Sequence, residues 1–200
     1  MNEPLVTVVI PTIKPRKGLL RRAVNSVMAQ DMGGYHRPKI EIAIDRDHEG
    51  SAATRNRALA KVRTPWVAFL DDDDYFLPDH LRTLLDAICP DYDVIYTGCR
   101  VIGAGFEEIP RQEEWGRFGE DFDPELLRDH SYLPVTSLVR TKIAQDSWFG
   151  PPNHDPMSPY DDWGFYLRAL DRGARFKHIP EATWVWHHHG QNTSGQGDRW

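Results

Sequence analysis

Trp66-Val-Ala-Phe-Leu-Asp-Asp-Asp-Asp74 is the stretch on which the fold turns. Five apolar residues in a row suit a short strand buried on both faces, the kind found at the centre of a parallel sheet. Four carboxylates follow at once, at the strand's carboxyl end, which is where open α/β sheets gather their ligand sites. Like charges about 4 Å apart repel by roughly 1 kcal/mol in water and by several times that where solvent is partly excluded. Read alone, the run fits either a hydrated acidic turn or a place where a divalent cation offsets the repulsion through oxygen ligands.

The same pattern recurs upstream. Leu5 to Ile10 is β-branched and almost continuously apolar, a strand that Pro11-Thr12 is expected to end. From Gly18 to Gln30, Leu19, Leu20, Ala23, Val24, Val27 and Met28 form the stripe of an amphipathic helix, stopped by Gly33-Gly34. Ile40 to Ile44 reads as a second strand with Asp45 at its carboxyl end, and Ser51 as the cap of a helix running to about Val62. Downstream, Pro78 opens a helix carrying Leu81, Leu84, Leu85 and Ile88. The residues from Asp91 to Ile102 hold one or two strands. Glu125–His130 reads as a short helix, Val135–Val139 as a strand and Asp161–Arg172 as a helix whose first residues, Asp161 and Asp162, suit the positive end of its dipole. Asp161 is the expected cap. Strands alternating with helices predict an α/β domain with a mostly parallel central sheet flanked by helices.

Composition bounds the rest. Two hundred residues with 40% hydrophobic and 27% charged content are one domain's worth of ordinary globular chain. The 24 basic residues against 30 acidic ones give a net charge of −6, so a basic nucleic-acid-binding surface is not expected. Cys89 and Cys99 have neither disulfide-scaffold density nor a zinc or redox spacing, which suits free thiols in a cytoplasmic, reducing setting. No signal peptide and no run of about 18 apolar residues is apparent, so any membrane contact is expected to be peripheral.

The second cluster of interest is Ser51-Ala-Ala-Thr-Arg-Asn-Arg57, because a helix start next to Arg55 or Arg57 offers N–H groups and a bidentate cation to phosphate. Taken in order, Val6-Thr-Val-Val-Ile-Pro-Thr12, Ala53-Thr-Arg-Asn-Arg-Ala58 and Phe69-Leu-Asp-Asp-Asp-Asp74 with Pro78 resemble successive motifs of the family 2 glycosyltransferases. Tyr160-Asp-Asp-Trp163 with Leu167-Arg168, and Trp186-His-His-His-Gly190 through Asn192-Thr-Ser194, continue the resemblance over nearly the whole chain. That resemblance implies a single GT-A domain over residues 1–200, with a nucleotide-sugar-binding half to about residue 90 and an acceptor and catalytic-base half beyond it. It implies a metal-dependent, inverting transfer from a nucleoside-diphosphate sugar to a carbohydrate or other hydroxyl acceptor, assisted by Mn²⁺ or Mg²⁺.

Residue by residue, the resemblance places Pro11, Thr12, Asp45, Arg55, Asp71 and Asp72 at the donor, with Asp45 at the base and Arg55 near the diphosphate. Asp47 is the alternative to Asp45, since only nine residues separate Asp45 from Arg55, fewer than the family pattern has. Asp73, with Asp71, is the implied metal ligand, joined by His189 or alternatively His187, and Asp162 is the implied base. A histidine ligand favours manganese over magnesium. Two other classes fit parts of the chain. A nucleotidyltransferase acting on a sugar phosphate shares the layout, but would carry a glycine-rich loop where Pro11-Thr-Ile-Lys-Pro-Arg-Lys-Gly18 has one glycine. A catalytically silent nucleotide-sugar or carbohydrate-binding module would bind without transfer.

Overall fold

The computed structural model describes residues 3–109, 120–158 and 160–188. Seven strands form one curled sheet: β1 (Val6–Ile13), β2 (Lys39–Asp45), β3 (Trp66–Phe69), β4 (Tyr75–Phe76), β5 (Val94–Gly103), β6 (Ser137–Arg140) and β7 (Phe176–His188). They lie in the order β2-β1-β3-β6-β5-β7-β4. Six helices cover it: α1 (Lys17–Met28), α2 (Gly50–Leu59), α3 (His80–Asp86), α4 (Pro124–Asp129), α5 (Thr141–Ser147) and α6 (Asp161–Asp171).

The apolar runs became the central strands because both sheet faces are covered. On β1 and β3, Val9, Val67 and Phe69 pack on the face shared with α2, α4, α5 and α6, while Val8, Ile10 and Ala68, with Leu70 just past β3, pack on the face shared with α1 and α3. A strand buried on both sides has no polar alternation to show.

The three-strand unit β2-β1-β3 is parallel, as expected. Beyond it the sheet is mixed rather than mostly parallel: β6 runs antiparallel to both β3 and β5, and β4 antiparallel to β7. Pro11 does not end β1, which continues to Ile13 in register with Asp45. Leu70 N donates to Val9 O, so the N–H positions of Val9 and Pro11 point to the β3 side, and β3 stops opposite Val9. The missing donor of Pro11 therefore costs no ladder bond. β7 takes the C-terminal chain across thirteen residues as a neighbour of β5. The register jump between Thr97↔Ile179 and Gly98↔Ala182 leaves Pro180 and Glu181 in a bulge, where a proline is tolerated.

Among the described residues no helix is long and apolar enough to cross a membrane.

Candidate active site

The carboxyl ends of β1, β2 and β3 carry the expected donor-side residues to one edge of the sheet. Asp45 ends β2 and is buried, with Oδ1 accepting from Glu49 N (3.0 Å) and Oδ2 from Gly50 N (2.9 Å). Burial alone would raise its pKa, but the amides of Gly50 and Glu49 outweigh it and hold the carboxyl below its ordinary value. Both oxygens thus fasten the loop that enters α2, while Asp47 is exposed. We predict that Asp45→Ala costs about 1–3 kcal/mol at pH 7 by chemical denaturation. Because the folded pKa is depressed, this contribution is present above the unfolded value and fades as pH falls, so wild type and variant should converge in acid.

Ser51 does not cap α2. Its Oγ donates instead to Asp161 Oδ2 (2.7 Å). Nor does Asp161 cap α6, whose N-cap is Tyr160 with no side-chain bond. Asp161 accepts from Arg55, at 2.9 and 3.1 Å through Nη1, while Arg55 Nη2 donates to Asp71 Oδ1 at 2.6 Å. The guanidinium expected near a diphosphate is therefore a buried strut between the acidic turn and α6, with both terminal nitrogens taken up by carboxylates.

Within the acidic run the four aspartates divide by direction. Asp72 points back to β1: it accepts from Thr12 Oγ1 (2.5 Å) and Arg16 Nη1 (2.9 Å), so two expected donor contacts, Thr12 and Asp72, satisfy one another. Burial, with the charge of Asp73 added, pushes Asp72 up to about 6 despite Thr12 and Arg16. Pro11 is buried beside them in β1. Asp71, Asp73 and Asp74 converge, each offering a carboxylate oxygen within 4.8 Å of the others. Asp74 N bonds to Asp71 O, closing the turn that brings them together. Burial first, then the charges of Asp73 and Asp71, raise Asp74 well above its ordinary value. Three carboxylate oxygen donors crowded this closely fit a hard divalent cation such as Mg²⁺ or Mn²⁺. Asp74 is the member that sequence reasoning did not assign. Its only signal was its place in the run.

The histidine expectation divides too. His189 lies outside the described residues. His187 is buried at the end of β7, its backbone N donating to Asp74 Oδ1 (2.9 Å), its ring stacked on Phe106 and its Nδ1 2.9 Å from Arg22 Nη2. Arginine can only donate, so Nδ1 is an acceptor there and is already engaged. Arg22 also donates to Asp73 O, and Arg16 to Asp73 Oδ2 at 3.2 Å. Neither arginine stands out in sequence, because each reaches its aspartate across some fifty residues.

Asp162 occupies the first turn of α6, partly buried, with Oδ1 accepting from Trp163 N (2.9 Å). Burial, then the charge of Asp161, pushes it up to about 7, with Arg55 opposing. Such a carboxyl can hold or release a proton near neutral pH.

The family model described as Glycosyl transferase family 2 matches residues 35–148, more than half of the chain. The chain belongs to glycosyl transferase family 2. Among its relatives is the succinoglycan biosynthesis protein ExoW of Rhizobium meliloti, 33% identical over 173 residues that cover 67% of this chain and 54% of ExoW. This family 2 chain spans about half the length, or less, of the first curated relatives that it matches. Its fold is of the GT-A type. Staphylococcus aureus TarS 1-349 in complex with UDP-GlcNAc superimposes with a TM-score of 0.66 at 17% identity, covering 91% of this chain and 58% of TarS 1-349. The mannosyltransferase PcManGT of Pyrobaculum calidifontis, in complex with GDP-Man and Mn²⁺, does so with a TM-score of 0.63 at 15% identity, over 92% and 57% of the two chains.

Proposed function

We propose that this domain transfers a glycosyl group, with inversion, from a nucleoside-diphosphate sugar to an acceptor hydroxyl, and that Asp162 is the proton acceptor. One observation carries the reading. Arg55 bonds Asp71 of the acidic turn and Asp161 of the α6 turn at once, so the cation-type cluster and a carboxyl tuned to about 7 are held across a single guanidinium. The nucleotide-sugar complexes of the structural neighbours support the same class of donor.

In the proposed reaction the acceptor oxygen forms a bond to the anomeric carbon from the face opposite the leaving group. The bond from that carbon to the diphosphate oxygen breaks, its electron pair leaving with the nucleoside diphosphate, and the hydroxyl proton passes to Asp162. Asp71, Asp73 and Asp74 would hold Mg²⁺ or Mn²⁺, whose charge stabilises the departing diphosphate. Arg16 and Arg22 fix the turn that presents these carboxylates. Family membership leaves no support for a nucleotidyltransferase.

A thermal-shift panel of UDP-, GDP-, CDP- and dTDP-sugars, with and without Mn²⁺, tests the reading. One nucleotide series is expected to raise Tm only when the cation is present, by the equivalent of about 2.7 kcal/mol at a hundredfold excess over Kd. Flat melting curves throughout would refute it. With the donor so named, a β-linked product from an α-linked donor establishes inversion, and an α-linked one rejects it.

A further inference from the structure

One cation in the α6 layer is buried with main-chain carbonyls, and no carboxylate, as its hydrogen-bond partners. Arg168 is 4% exposed, and its five hydrogen bonds run to four main-chain oxygens. Nε donates to Ser147 O (2.7 Å) and Trp148 O (3.2 Å), Nη1 to Pro151 O (3.1 Å), and Nη2 to Trp148 O (3.1 Å) and Gly150 O (2.7 Å). Its Cζ lies 3.8 Å from the centroid of the Trp148 ring. Desolvation, with the charge of Arg172 added, lowers its pKa, and no carboxylate opposes the fall. Burying such a charge is costly, so its value lies in what the four carbonyls belong to.

They belong to a wedge, residues 147–151, set between α6 and α2. Towards α6, Gly150 N donates to Asp161 O (3.2 Å), and Gly164 comes so close that a Cβ there would stand 2.0 Å from Gly150 O. Towards α2, the main chain of Phe149 exchanges two bonds with the Asn56 side chain, at 2.7 and 2.9 Å. The Phe149 ring stacks on Phe165 with centroids 4.3 Å apart, and Arg55 Cζ lies 5.3 Å above it. Trp148 holds φ at 33°, in the left-handed region that a bulky side chain seldom enters, so the wedge needs external bonds to keep its shape.

We infer that Arg168 and Asn56 are positioning residues: through this wedge they set the spacing between Arg55 on α2 and the Asp161–Asp162 turn of α6, and so aim the Asp162 carboxylate. Neither residue touches the reacting groups. The inference rests on the reading of Asp162 as proton acceptor; the Trp163 amide bonds Asp162 directly, and Asp161, Arg55, Asp71 and Tyr166 are the titratable groups that act on it electrostatically.

The test compares wild type, Arg168→Lys and Asn56→Ser with Leu84→Ala. Lysine keeps the charge but cannot span four carbonyls, serine frees the wedge from α2, and Leu84 is buried on the other face of the sheet. Two readouts apply: the Asp162 carboxyl titration followed by ¹³C NMR, and the hydrolysis of UDP-GlcNAc or GDP-mannose, whichever wild type binds, with its Kd. Both wedge variants are expected to move the Asp162 midpoint by about half a pH unit or more. They should slow hydrolysis by about 10- to 100-fold while donor Kd stays within about twofold. Leu84→Ala should move neither at a comparable loss of Tm. Wedge variants that keep both the wild-type midpoint and the wild-type rate, or that match Leu84→Ala in both, overturn the inference. If the midpoint moves in the wedge variants while Asp162→Asn retains full transfer, the positioning holds and the base assignment is what fails.

Discussion

Asp162→Asn is expected to lower sugar transfer by about 10²- to 10⁴-fold, the range for removing a positioned general base, with donor Kd nearly unchanged. The same variant should be more heat-stable than wild type at pH 8. Asp162 holds its proton up to about 7 in the folded chain, well above the ordinary carboxyl value, because it is partly buried and lies beside Asp161. Between those two pH values the folded state binds more protons than the unfolded state, so stability falls as pH rises through the window and the full cost stands above it. An amide removes that cost. Allowing for partial solvent access, the gain is on the order of 1–2 kcal/mol, or about 3–6 °C in a chain of this size. At pH 4 the two melting curves should nearly coincide. In wild type, transfer should rise with pH through about 7 as Asp162 ionises, an acid limb that the variant lacks. Wild-type transfer by the variant would remove Asp162 from the reaction, and unchanged stability at pH 8 would remove the electrostatic account of its pKa.

What each residue packs against decides how much of the molecule is legible in the chain. The central strands were legible because burial on both faces leaves continuous apolar runs, and α1 because one apolar stripe faces the sheet. The acidic turn was legible because four adjacent carboxylates directly follow an apolar strand, while the burial of Asp72, Asp73 and Asp74 was not. β7 was not, since Pro180 and Glu181 interrupt its apolar pattern and only the bulge against β5 accommodates them. The antiparallel entry of β6 leaves no trace either, because a strand buried on both faces looks the same in either direction. The division of labour among the aspartates needed the fold outright. Asp72 is chemically identical to Asp73 but takes the Thr12 hydroxyl, and Asp161 takes Ser51 and Arg55 where Asp162 takes the Trp163 amide. Arg168 reads as helix surface charge, yet the hydrogen bonds of its guanidinium all run to main-chain carbonyls, which have no letter in the sequence.

Arg55→Met should be the most destabilising single change at the site. The guanidinium is 6% exposed, lies over Phe149 and carries the ion pairs to Asp71 and Asp161. Methionine fills much of the aliphatic volume but leaves both carboxylates without their cation, and removing one partner of a buried ionic network costs about 3–5 kcal/mol. The change also withdraws the one charge that opposes the rise of Asp162, so its midpoint should move upward from about 7. Arg55→Lys should fall between, since an ammonium restores charge to one carboxylate but cannot fork to both. The diagnostic comparison is the double variant Arg55→Met/Asp161→Asn. If Arg55 acts as a strut, neutralising Asp161 relieves part of the stranded charge, and the double variant melts above Arg55→Met alone, giving a coupling of about 0.5–3 kcal/mol in the mutant cycle. Strict additivity would mean that the two side chains are neighbours without being partners. Arg55→Met at wild-type Tm would mean that the guanidinium is not what holds the acidic turn and α6 together.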